Sequence, residues 1–275
     1  MRFLISLAFA ILAAVPASAQ TASEPSALIR LEDRSDLYGW EAVGRLDFAT
    51  GGFCTATLIA PNLVLTAAHC VYGRGGYTLA NPADLTFRAG LANGTAIAES
   101  KVLRIATPSK YVPTASLGRE NTDNARYDVA LLELALPIST QVADPFALHD
   151  GNTHGGQVSI ISYGQGRAEV LSRQRQCQEL GRQQGIVAFD CDVTFGSSGS
   201  PVFVKHGNRV RIASVISKMA RAHDGRKIAL GMELPGLVDD LKRQLRAGHT
   251  GPRAKERRIK LGANRNASGA KFIKP

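Results

Sequence analysis

Thr66-Ala67-Ala68-His69-Cys70 sets a histidine beside a cysteine just after the apolar run Leu63-Val64-Leu65. Far downstream, Gly196-Ser197-Ser198-Gly199-Ser200-Pro201 holds serines between glycines. These residue types are the base and the nucleophile of covalent acyl transfer. Between them Asp128 opens a second apolar run, Val129-Ala130-Leu131-Leu132. The three groups thus follow the chain order histidine, aspartate, serine, and the same chemistry on other folds uses Asp-His-Ser or Ser-Asp-His orders.

The pattern around these stretches is one of short apolar runs broken by Gly, Pro and Asn. Runs at 41–48, 53–60, 63–66, 85–89, 96–106 and 129–134 form one group, and runs at 157–163, 186–190, 201–205, 210–218 and 228–233 form another. Short strands at such spacing, without long helical periods between them, predict an all-β architecture of barrels or sandwiches. Residues 137–150 lack a strand pattern and read as the connection between the groups. One helix is expected at 234–245, with Leu237, Leu241 and Leu245 on a single face.

Composition bounds the setting. Arg2, the apolar stretch 3–15 and Ala17-Ser18-Ala19 read as a signal peptide over 1–19. The apolar stretch is too short for an anchored helix, which needs about 20 residues, so the mature chain is expected to be secreted or periplasmic, with no transmembrane segment. Residues 20–36 read as a flexible leader or pro-segment. The four cysteines are even in number, and an exported chain is expected to pair them. Spacing favours Cys54 with Cys70 and Cys177 with Cys191 among three possible pairings. No CxxC or HExxH occurs, so no metal and no cofactor is implied.

The net charge of +10 is concentrated at one end. From Leu241 onward there are eleven Lys/Arg and one acid, and the rest of the chain holds 22 of each sign. Residues 249–275 alternate cations with small residues and are too poor in apolar side chains to build a core. Such a tail is either a solvated end or a tether to an anionic surface or polyanion, and a tether would bind in a salt-sensitive way.

The motifs Leu65-Thr66-Ala67-Ala68-His69-Cys70 with Cys54, Asp128-Val129-Ala130-Leu131-Leu132, and Gly196-Ser197-Ser198-Gly199-Ser200-Pro201 resemble those of trypsin-like serine peptidases of the chymotrypsin fold, in particular the bacterial V8-like, glutamyl-endopeptidase-like branch. The resemblance covers roughly residues 41–246. It implies two six-stranded antiparallel β-barrels, at 37–140 and at 141–248 with the helix, and a site in the cleft between them. It also implies His69 as general base, Asp128 as its orienting carboxylate and Ser198 as nucleophile, with Asp123, Ser197 and Ser200 as the competing residues. The amides of Gly196 and Ser198 would form the oxyanion hole. The function implied is a serine endopeptidase acting on proteins or peptides; the alternative is a silent peptidase-fold binding protein.

Departures from the family pattern matter as much. Digestive trypsin-like enzymes carry an aspartate just before the nucleophile, paired with a newly exposed N-terminal amine; here that position is Ser197. Asp192 stands where enzymes preferring Arg or Lys place an acid at the base of the specificity pocket. Ser217, in Val215-Ile216-Ser217-Lys218, belongs to the expected pocket wall, and Lys218 or Arg221 would instead suit acidic side chains.

Overall fold

The structure, a computed structural model, describes residues 25–72, 78–113, 122–150, 155–222 and 224–248, the side chains of 122 and 123 excepted. The expected signal peptide and basic tail lie outside the described residues.

A first closed barrel is built from β2 (Val43–Phe48), β3 (Phe53–Ala60), β4 (Leu63–Thr66), β5 (Leu85–Ala89), β6 (Ala98–Ala106) and β7 (Ala130–Leu134), in the order β2-β3-β4-β7-β6-β5. Period-two burial explains β5, where Leu85, Phe87 and Ala89 point inward while Thr86 and Arg88 are only half-buried. Leu46, Ala56, Leu58, Val64, Phe87, Ile105 and Leu132 fill the interior. Strand β3 does not alternate, being buried almost throughout, because its second face lies against the other half of the molecule. Thr55 answers that double burial with hydrogen bonds: its Oγ1 donates to Gly196 O at 2.9 Å and accepts from Tyr163 N at 3.0 Å.

The second half contains β8 (Gly156–Gly164), β9 (Arg167–Gln183), β10 (Ile186–Phe189), β11 (Pro201–His206), β12 (Arg209–Arg221) and β13 (Lys227–Met232). They pair in the order β9-β10-β13-β12-β11-β8, and β8 pairs back onto β9 to close the ring. Helix α1 (Pro235–Arg246) follows, with Val238, Leu241 and Leu245 buried and Leu237 packed at the edge of the same core. Although α1 follows the second ring in sequence, it lies on the first barrel. There the Arg104 guanidinium of β6 donates to Leu245 O at 2.8 Å, satisfying an end carbonyl where a cation is favoured. A shared core of Leu65, Leu131, Tyr163, Phe203 and Val215 joins the halves.

Two features differ from the expectations. Strand β9, the longest among the described residues, has no counterpart in the expected strands. The described part of the stretch expected to be a loose leader is ordered: β1 (Leu28–Arg30) adds antiparallel to β9, Ser26 N donates to Gln176 O at 2.8 Å, and Leu31, like Leu37 just beyond it, is buried in the shared core. The described part of the leader is therefore an edge strand with an apolar anchor.

Candidate active site

The histidine side is built by β4 and a covalent brace. After Thr66 the chain stays extended at Ala67 and then makes a 3-10 turn, Ala68–Val71, that presents His69. Cys70, in the same turn, is disulfide-bonded to Cys54 of β3, so the turn is pinned to the neighbouring strand. The other bond joins Cys177 and Cys191. Both pairs are those favoured by spacing.

Asp128 follows a 3-10 turn, Thr122–Tyr127, and stands two residues before β7, which is paired with β4. That register brings the carboxylate under the imidazole. The His69 amide donates to Asp128 Oδ1 at 2.8 Å, and His69 Nδ1 lies 2.7 Å from Oδ2. Ser217 Oγ donates to the same Oδ2 at 2.5 Å. Burial works against the Asp128 charge, but the imidazole and the hydrogen bonds outweigh it and hold the carboxyl below its ordinary range. Burial likewise pulls the His69 imidazole down. Asp128 more than offsets that, against opposition from Lys218, and the net pKa is raised above 6.5. With Nδ1–H committed to the carboxylate, neutral His69 presents Nε2 as an acceptor. The His69 side chain is 39% exposed and that of Asp128 only 7%, so the ring reaches solvent while its partner does not.

The serine turn is shaped by two glycines with positive φ, Gly196 at 93° and Gly199 at 82°. A Cβ on Gly199 would lie 2.1 Å from Thr55 O and 2.2 Å from Thr66 Oγ1, so this turn presses directly on the strands leading to His69. Thr55 N donates to Ser198 O at 2.9 Å, and Gly199 N donates to Ile216 O at 2.7 Å. Ser198 thus sits between β3 and β12, where the halves meet. Ser197 and Ser200 are 0% exposed, which leaves Ser198 as the accessible hydroxyl of the three. The amides of Ser197 and Gly199 are used within the fold, whereas those of Gly196 and Ser198 donate to no group among the described residues. No hydrogen bond joins Ser198 Oγ to His69 in this structure; such contacts commonly tighten only when substrate is bound.

Other expected residues stand differently. Asp192 is exposed, with its amide donating to Gln174 Oε1 at 2.8 Å, and is not a buried acid at the base of a pocket. Its neighbour along the loop, Cys191, takes the buried position through its disulfide, which turns the Asp192 side chain outward. Ser217 is buried and spends its hydroxyl on Asp128, so any contact with substrate falls to its backbone. Phe195 was not singled out, yet it is 74% exposed beside the serine turn. The His/Cys/Asp groupings at Cys54-His69-Cys70 and Cys177-Asp190-Cys191 have both sulfurs in disulfides and offer no thiolate to a metal.

Residues 54–210, more than half of the chain, match the family model for the trypsin-like peptidase domain. The chain belongs to the trypsin-like peptidase family. Within this trypsin-like peptidase, sequence similarity reaches the glutamyl endopeptidase of Bacillus licheniformis, 25% identical over 66% of this chain and 54% of the relative. It also reaches serine protease 23 of Rattus norvegicus, 27% identical over 57% of this chain and 44% of the relative. The chain therefore spans about half the length of the curated relatives it matches. Among solved structures, a Glu endopeptidase in complex with MPD superposes with a TM-score of 0.64 at 21% identity, covering 81% of this chain and 97% of that one. The protease Anisep from Arthrobacter nicotinovorans gives 0.61 at 16% identity, covering 75% and 96%. These likenesses establish the chymotrypsin fold.

Proposed function

We propose that the chain is a serine endopeptidase in which His69, Asp128 and Ser198 act together through an acyl-enzyme intermediate. The observation that carries this reading is the buried Asp128 carboxylate fixed on both the amide and Nδ1 of His69, beside a glycine-bounded turn whose one accessible hydroxyl is Ser198. As Ser198 Oγ attacks the scissile carbonyl carbon, His69 Nε2 takes its proton and Asp128 stabilises the imidazolium without itself becoming protonated. The carbonyl oxygen becomes an oxyanion facing the unused amides of Gly196 and Ser198, where one donor is typically worth about 3 kcal/mol of barrier. Collapse breaks the peptide bond as the imidazolium gives its proton to the leaving amine. Water then repeats the cycle on the acyl-serine with His69 as base, releasing the acid and restoring Ser198.

Two disulfides suit an oxidising compartment, and no helix among the described residues is long and apolar enough to cross a membrane. Together with the signal-like first nineteen residues, this supports a secreted or periplasmic peptidase whose substrates are proteins or peptides. The test is hydrolysis of a mixed peptide library by the purified chain, with Ser198→Ala as control. Cleavage is expected, with kcat/KM lowered at least about 10^4-fold in the variant. Equal cleavage by both proteins, or none by either, rejects the reading, and the library also reports which side chain is preferred at the cleaved position.

A further inference from the structure

Arg167 opens β9 just after the β8–β9 turn and points its guanidinium back beneath the serine turn. One of its nitrogens donates to Ser162 O, and Nη2 donates to Ser162 Oγ at 2.9 Å and to Ser197 Oγ at 3.2 Å. Ser197 Oγ in turn donates to Tyr163 O at 3.1 Å and accepts from Thr194 N at 3.2 Å. A backbone bond from Gln165 N to Phe195 O at 2.8 Å ties the same two segments together. Gly164 is needed for the close approach, because a Cβ there would lie 2.7 Å from the Thr194 methyl and 2.8 Å from Arg167 Nη2. The three acceptors of Arg167, Ser162 O, Ser162 Oγ and Ser197 Oγ, are neutral, and Arg167 makes no ion pair among the described residues. Burial lowers its pKa, with the charge of exposed Asp192 acting the other way.

A half-buried cation without a counter-ion is costly to keep, which asks what it holds in place. Two of its three hydrogen bonds fix Ser162 of β8, and the third reaches Ser197, the residue before Ser198 in the turn that carries the Gly196 amide. We propose that Arg167 is a positioning residue for the 194–198 turn, holding the oxyanion donors in place from within the chain, so that the chain from Gln20 is competent without further cleavage after Arg30 or Arg34. The inference rests on the serine-peptidase reading of the same site and adds its regulation.

The N-terminal segment argues the same way. Leu31 N already donates to Leu171 O at 2.8 Å, and β1 is paired through Arg30 with Ser172. The Arg30 charge is felt at Arg167 as a like charge. Cutting after Arg30 or Arg34 would detach the paired strand β1 from β9, and Ser197, unlike an aspartate, offers a new amine no charge to pair with.

The experiment compares the chain beginning at Gln20 with its Arg167→Gln, Arg167→Lys and Ser197→Ala variants, and with a form trimmed after Arg34. kcat, KM, the rate of fluorophosphonate labelling and Tm are measured for each, and intact mass verifies the N-terminus. Untrimmed protein is expected to be active, and Arg167→Gln and Ser197→Ala to lose about 100-fold in kcat and in labelling rate with KM within about threefold. Arg167→Lys is expected to recover part of the loss. Activity that appears only after trimming overturns the proposal. So does a kcat within about twofold of the parent in Arg167→Gln, whatever Ser197→Ala does, or a loss that tracks Tm and raises KM equally, which marks a structural prop. If neither the untrimmed nor the trimmed parent hydrolyses peptide or takes the label, the peptidase reading itself falls and this inference with it.

Discussion

A carboxylate that is nearly sealed from water keeps its charge only if its partners replace that water, and Asp128 has such partners in His69 and Ser217. The consequence for pH is signed. Burial and Lys218 lower the His69 pKa, Asp128 raises it, and the net is above 6.5; the base works only when neutral, so kcat/KM should rise with pH through a midpoint above that value. In Asp128→Asn burial and Lys218 act without the carboxylate, so the midpoint should move down while kcat falls by about 10^4-fold; pH profiles of both proteins check this. A midpoint unchanged by the substitution would remove Asp128 from the site. At this scale the sequence singled out His69 and Asp128, which the structure brings into contact, and the turn of Ser198, because the residues that constrain each one are its immediate neighbours. It was silent on Ser217 as the carboxylate's third support, since that contact spans 89 positions and depends on a register shift in β12 between Ile216 and Lys218.

At the level of elements, two devices press the histidine and serine segments together. The first is the Gly199 turn, whose Cα faces Thr55 O with no room for a side chain. Gly199→Ala is expected to lose measurable hydrolysis and to destabilise the fold, because both the positive φ and the 2.1 Å approach to backbone are violated; activity within tenfold of the parent would show that the turn yields. The second is the Cys54–Cys70 bond across 16 residues. Replacing both cysteines by alanine should cost about 3 kcal/mol in the chain-entropy model, read by urea unfolding. The strands of the first barrel were legible because their apolar residues alternate or run continuously. Strand β9 was not, since Ser172, Arg173, Gln174, Arg175, Gln176, Gln178 and Glu179 give it the look of a loop. Its two buried polar side chains with long reach are paired: Gln174 donates to Ser26 O at 2.8 Å and accepts from Asp192 N, and Glu179 pairs with Arg182 at 2.5 Å. The same polarity hid β1, whose partner strand went unseen.

For the whole molecule, the proposed site would be assembled where two rings of strands meet along a shared core and each brings what the other lacks. The first supplies His69 and Asp128, the second Ser198 and the buried hydroxyl of Ser217. Helix α1 and the Arg104–Leu245 contact hold the C-terminal end of the second half against the first barrel, resisting separation of the pieces. An all-β architecture was readable from strand spacing and its two barrels from the family resemblance, whereas the ordering of the leader was not, because Leu31 finds its core only in the assembled molecule. The account stands on Ser198 being activated by His69 across this junction. Treating the purified chain with a fluorophosphonate and mapping the adduct by peptide mass spectrometry tests that directly. The expected result is a single adduct on Ser198 that is abolished in His69→Ala; no adduct, or one on Ser198 that forms equally fast without His69, would contradict it.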